Sequence, residues 1–179
     1  GWRSMVAETE TVVRLTRLKT DLTGDRAAMD ARESEVAELV GRWDQAGSLG
    51  RPELVLIAVN LHGWYTALET ALERVARLLD QTVPDGGSWH LDLLAQMQLE
   101  VPGVRPAIVP EGFTPELHEL RKFRHFFRNA YALELDAALV RQRAADLLRV
   151  CGPQAVAMAA LRAHIDATLS ELLAAPTVG

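Results

Sequence analysis

Residues 114–131 read TPELHELRKFRHFFRNAY, and the placing of apolar and charged residues in this stretch decides how the chain is built. In an α-helix each residue advances about 100° around the axis. At that advance Leu117, Leu120, Phe123, Phe127, Ala130 and Tyr131 gather on one broad face, with Phe126 at its margin. A helix with one wide apolar face covers a core. Thr114 followed by Pro115 predicts the start, a hydroxyl cap ahead of the residue best tolerated at the first helical position. The other side carries Arg121, Lys122, Arg124, Arg128, His125 and Asn129, with no carboxylate among them. Arg124, Arg121, Arg128, His125 and Asn129 form a ridge bordering the apolar face, with Arg124 at its edge.

Four more segments outward from this stretch carry helical periodicity. The first spans about 6–43, with Leu15, Leu18, Leu22, Met29, Val36, Val40 and Trp43 at spacings near three and four. Gly24 leaves open whether this is one helix or two. Pro52 opens a second helix reaching about Asp80, apolar on several sides through Leu54, Val55, Leu56, Ile57, Val59 and Leu61, and therefore expected between neighbours. Ser88 is expected to cap a short third helix through Leu99. Residues 101–113, with Pro102, Pro106 and Pro110, form a loop long enough to line a site. After a turn near Leu135-Asp136 the last helix runs to about Leu173, broken or kinked at Gly152-Pro153. No segment alternates convincingly over strand length. The expected fold is all-α, an up-and-down bundle of four to six helices over residues 5–175, with residues 1–4 read as a tag remnant.

Composition narrows the chemistry. A chain of 179 residues supports one domain with a real core. Its net charge of −5 argues against a general nucleic-acid coat, so any polyanion site must be local. A single cysteine, Cys151, excludes an internal disulfide and a cysteine-built zinc site, and fits a cytoplasmic protein. No apolar run approaches the ~20 residues that span a bilayer. His62, His118 and His164 share no metal-ligand spacing and read as structural or surface groups. No cofactor or metal is expected.

The ridge on the fourth helix can serve phosphate. Arginine offers a planar, permanently charged fork that fits phosphate oxygens. Histidine alone gains and loses a proton near neutral pH. Cutting RNA without metal needs a base for the 2′-hydroxyl, an acid for the 5′-oxygen and cations for the phosphorane charge. The competing reading is a solvated face whose cations pair with Glu119, Glu134 or acidic residues elsewhere. Glu69, on the apolar second helix, needs a partner if buried, and a ridge arginine is the expected one. His90 reads as a group that packs or caps at the start of its helix, or that reaches the site.

These residues carry a resemblance. Trp89-His90, Leu93-Leu94 and Met97, then Arg105-Pro106, then Leu120-Arg121, Phe123-Arg124-His125, Arg128-Asn129 and Tyr131, with Tyr65 and Glu69 upstream, resemble the HepT-like branch of the HEPN superfamily over about residues 50–145. The resemblance implies a small helical bundle, usually a homodimer, with the signature Arg and His facing each other across a dimer cleft. It implies a metal-independent endoribonuclease acting as the toxin of a toxin–antitoxin pair, neutralised by a minimal nucleotidyltransferase that in some cases adenylylates a tyrosine near the site.

Carried over residue by residue, it makes Arg124, His125 and Asn129 the catalytic candidates. Arg121, Arg128 and His90 become substrate-binding residues, Glu69 a supporting one and Tyr131 the modification candidate. The chain departs from the pattern at one point. The signature spacing from Arg124 ends on Asn129, which cannot act as a base at neutral pH. Either His125 takes the role in a shifted arrangement, or the protein is a HEPN module that binds nucleic acid, a nucleotide or a partner without cutting. A purely structural helical dimerisation protein is the third reading.

Overall fold

The second helix, expected between neighbours, is packed by three other helices, although its apolar Val55, Leu56 and Val59 stay exposed. The computed structural model describes residues 2–129 and 135–174, which form five α-helices and no strand. They are α1 (Trp2–Ala46), α2 (Arg51–Val75), α3 (Trp89–Met97), α4 (Thr114–Asn129) and α5 (Ala137–Ala174). The all-α bundle expected from periodicity is the fold observed. Helix α2 packs against α1, α4 and α5 and buries Leu54, Ile57, Leu61, Trp64, Tyr65, Leu68 and Leu72.

Helix α1 is continuous through Gly24, which settles the question left by the sequence. Its 45 residues span about 67 Å at the helical rise. Leu15, Leu18, Leu22, Met29, Val36, Leu39 and Trp43 are its buried stripe. A Cβ added at Gly24 would meet nothing within 4 Å, so no close approach requires glycine there. Packing on both sides of Gly24 holds the helix through a residue that costs roughly 1 kcal/mol of helix propensity. Helix α5 likewise runs unbroken through Gly152-Pro153. Next to that proline, fully buried Gln154 donates from Nε2 to the Ile108 carbonyl at 2.7 Å, tying the helix to the loop before α4.

Two expected hydroxyl caps do not form. Ser88 stands ahead of α3, but its hydroxyl donates to Asp92 Oδ2 at 2.9 Å and makes no cap bond to the backbone. Thr114 lies inside α4, and its hydroxyl accepts a bond from Gln98 Nε2. The first backbone bond there runs from Leu117 N to Phe113 O at 3.1 Å. In each case the hydroxyl has found a side-chain partner instead of a backbone N–H. Asp136 does cap α5, accepting at Oδ1 from Ala138 N at 2.9 Å.

The end of α2 is a π-helical turn, Ala76–Asp80, closed by Gln81 at φ +55°. The wider turn delivers Asp80 to Arg105, whose side chain is fully buried. Asp80 receives Arg105 Nε at 2.6 Å and Nη2 at 2.7 Å, while Leu99, Pro106 and Gln96 carbonyls take the other guanidinium bonds. Burial pushes the Asp80 carboxyl up, but hydrogen bonds from Arg105 and Gln96 and the Arg105 charge outweigh it and hold it below its usual value. The proline-rich loop is therefore folded around a buried ion pair, and its residues Val101, Gly103 and Pro106 line a hollow with Ala160 and His164 of α5.

Candidate functional site

Helices α2 and α4 build the site together. On α2, residues 55, 59, 62, 66 and 69 repeat at four and three and so share one stripe. Val55 and Val59 begin it and are exposed, at 36% and 43%. His62, Thr66 and Glu69 continue it beneath α4. Leu117, Leu120 and Phe123 of α4 are buried and Phe127 is packed against the core, so this apolar face is seated on the bundle as expected. Phe126, placed at the margin, is 44% exposed.

That seating turns Arg124 inward onto α2. Its Nη1 lies 3.1 Å from Glu69 Oε1, and its Nε donates to Thr66 Oγ1 at 3.0 Å. Only 16% of the Arg124 side chain and 7% of the Glu69 side chain remain accessible. Thr66 in turn donates to the His62 carbonyl at 2.9 Å, which leaves its oxygen free to accept from Arg124. The guanidinium is thus oriented by one hydrogen bond and one ion pair, both from α2.

The second oxygen of Glu69 holds a histidine from a third helix. Glu69 Oε2 lies 2.5 Å from Nδ1 of His90, whose ring is packed on Trp89 with centroids 3.5 Å apart. One buried carboxylate therefore joins α2, α3 and α4 through Arg124 and His90. The sequence singles out both residues, and Glu69 links them. The His90 side chain is 29% accessible, so this corner of the site reaches solvent.

The remaining ridge residues separate. His125 and Arg128 are exposed, and Arg121 is half-buried with its Nε unpartnered. Among the described residues neither Arg121 nor Arg128 pairs with a carboxylate. Lys122 turns the other way and bonds Glu119 Oε1 at 2.8 Å, which makes it the ordinary surface ion pair the competing reading anticipated. Phe123 and Phe126 with Leu139 and Arg143 line a small hollow on that opposite side. The Asn129 side chain, Ala130, Glu134 and Tyr131, the modification candidate, lie outside the described residues.

Sequence reasoning missed His62, read there as a scattered structural histidine. It lies beside Phe127, with ring centroids 5.7 Å apart. Burial lowers its pKa below 6.5, and the charges of Arg124, Arg128 and Arg32 lower it further. A neutral imidazole therefore borders the cationic group. The spacing from His62 to Thr66 and Glu69 was the available signal, but it gains meaning only once α4 is known to lie over that stripe. Tyr65, almost fully buried, has its phenol pushed well above its ordinary range by burial and the Glu69 charge, against opposing effects of Arg121 and Arg124. It stays protonated. His118 is lowered by burial and by Arg121 and Lys122, with Glu119 opposing.

Elsewhere, His164 shares a 2.7 Å hydrogen bond with the Val104 carbonyl. Burial raises the Cys151 thiol, and Glu33 adds to the rise, so it is a poor nucleophile. Among the described residues no three His, Cys, Asp or Glu side chains cluster as metal ligands, and no helix is long and apolar enough to cross a membrane.

Chemically, the corner offers a guanidinium held at Nε and Nη1, exposed cationic and imidazole groups beside it, and a carboxylate-bound histidine. The guanidinium N–H groups left over from these contacts can donate to an anion. No curated protein and no solved structure matches the chain. A family model described as HepT-like protein matches residues 56–165, a span that takes in most of α2, all of α3 and α4, and most of α5. The matched span holds every residue of the corner, and the chain belongs to the HepT-like protein family.

Proposed function

We propose that the protein is a HEPN-type, metal-independent endoribonuclease and the toxin half of a toxin–antitoxin pair. The single observation that carries the reading is the placing of Arg124. A guanidinium tied to Glu69 and Thr66 is held in one orientation beside exposed His125 and Arg128. An arginine that served only to neutralise Glu69 would not require a cationic surface around it. In this reading Arg124 stabilises charge on the scissile phosphate, His125 transfers a proton, and Arg121, Arg128 and Asn129 hold the RNA backbone. Tyr131 is the residue a partner nucleotidyltransferase modifies.

A homodimer fits the same reading. The α2 stripe that carries the site continues into exposed Val55 and Val59, an apolar margin suited to a second copy. Two ridges brought together would double the cationic groups around one phosphate.

A second reading rests on one residue. Asn129 stands at the signature spacing from Arg124, and an amide hydrogen-bonds phosphate or ribose without moving protons. On that reading the protein binds RNA and leaves it intact. Purified protein incubated with RNA in EDTA, beside Arg124→Ala and His125→Ala, separates the two. Cleavage by the wild type, lost in both variants, is expected. Salt-sensitive binding without cleavage would replace the nuclease with the binding module.

A further inference from the structure

Cleavage at a ribose 2′-hydroxyl needs two proton-transfer groups in one step, a base for the nucleophile and an acid for the leaving oxygen. The ridge of α4 supplies one histidine, His125, and an amide cannot supply the other. His90, from α3, is bound at Nδ1 by Glu69 Oε2 at 2.5 Å. The other oxygen of that carboxylate holds Arg124 Nη1 at 3.1 Å. A carboxylate accepting from Nδ1–H fixes the imidazole tautomer and leaves Nε2 as a bare acceptor on the far edge of the ring. No hydrogen bond among the described residues reaches Nε2. Trp89 packed on the ring limits its rotation, and the side chain is still 29% accessible.

The geometry points to His90 as a catalytic residue, the general base of the site, with Glu69 positioning both it and the phosphate-binding Arg124. The inference rests on the RNA-cleaving reading above and adds the second proton-transfer group that this reading lacks. In the step, His90 Nε2 takes the proton of the 2′-hydroxyl as O2′ forms its bond to phosphorus. The bond from phosphorus to O5′ breaks, and O5′ takes a proton from the His125 imidazolium. The products are a 2′,3′-cyclic phosphate and a 5′-hydroxyl. No oxidant, metal or further reactant enters. The arrangement also explains why a carboxylate is buried at this junction. Glu69 holds the base and the phosphate clamp one carboxyl group apart, so both move together if α3 and α4 shift.

The test compares wild type, His90→Ala and His90→Asn on a short RNA and on its 2′-O-methyl copy, which binds but cannot react. Asparagine can still donate to Glu69, so it preserves the junction while removing the base. Both variants are expected to lose about 100-fold or more in kcat, with binding of the 2′-O-methyl RNA changed by no more than about threefold. Added imidazole should restore part of the His90→Ala rate. If either variant folds and cuts at the wild-type rate, His90 is not the base. Loss of 2′-O-methyl binding together with cleavage, without rescue by imidazole, would also overturn the assignment and leave His90 a structural group. Wild type that leaves the RNA intact removes the cleavage reading itself, and the role of His90 falls with it. Wild type that cuts beside an equally active His90→Asn removes the His90 role alone.

Discussion

Glu69 and Arg124 form an ion pair between α2 and α4 at 3.1 Å, with both side chains largely out of solvent. The carboxylate is the more buried partner and also binds His90, so the pair is the centre of a three-helix junction. Removing one member of such a pair leaves a charge without its partner in a poorly solvated place.

Glu69→Ala is therefore expected to cost about 3 kcal/mol, in the range seen when one partner of a buried pair is deleted. Arg124→Ala should cost less, because Glu69 keeps His90. The double variant should cost less than the sum, by roughly 1–3 kcal/mol. Urea denaturation of the four proteins measures the coupling. Additive losses would mean that the pair contributes nothing beyond its separate packing.

Gly24→Ala should stabilise the protein. The residue lies inside α1, and a Cβ there meets nothing within 4 Å. The expected gain is about 0.5–1 kcal/mol, or roughly 1–4 °C in Tm for a chain of this size. A thermal melt that shows no change or a loss would contradict the account of α1 as a continuous helix at this point.

Much of this architecture was legible in the chain because amphipathicity is a local property. The apolar face of α4 and the all-round apolarity of α2 follow from the spacing of Leu117, Leu120 and Phe123, and of Leu54, Ile57 and Leu61. Gly24 and Gly152-Pro153 read as interruptions because local propensity opposes the helix there, while tertiary packing carries it through. The π-turn at Ala76–Asp80 had no periodic signal, and its consequence, the burial of Arg105, is a contact with a distant loop.

The candidate site divides in the same way. Arg124, Glu69 and His90 stood out individually as a ridge cation, a carboxylate on an apolar helix and a helix-start histidine. Their meeting depends on how α2, α3 and α4 are arranged, which no single helix encodes. His62 went unrecognised for the same reason. Its partner Phe127 lies on another helix, and the two approach only because α4 crosses that stripe of α2.

Acidification should weaken the fold through His62. Burial and the charges of Arg124, Arg128 and Arg32 lower its folded pKa below the ordinary 6.5. Between those two values the unfolded chain binds more protons than the folded one, so stability rises with pH there. The contribution of neutral His62 is fully present above pH 6.5 and is lost as pH falls through the folded value. His118 shifts in the same direction. Stability measured by denaturant between pH 7.5 and 5 should fall, and His62→Gln should flatten the fall. An unchanged slope in that variant would remove His62 as a source of the pH dependence.

The most direct test of the central claim is a single-turnover assay of a 5′-labelled RNA with excess protein in EDTA, with the product ends identified. Wild type should produce fragments ending in 2′,3′-cyclic phosphate, and Arg124→Ala should slow their appearance about 100-fold or more, the scale of losing one charge-stabilising donor. Intact RNA with the wild type, or cleavage at the same rate by Arg124→Ala, would contradict the account.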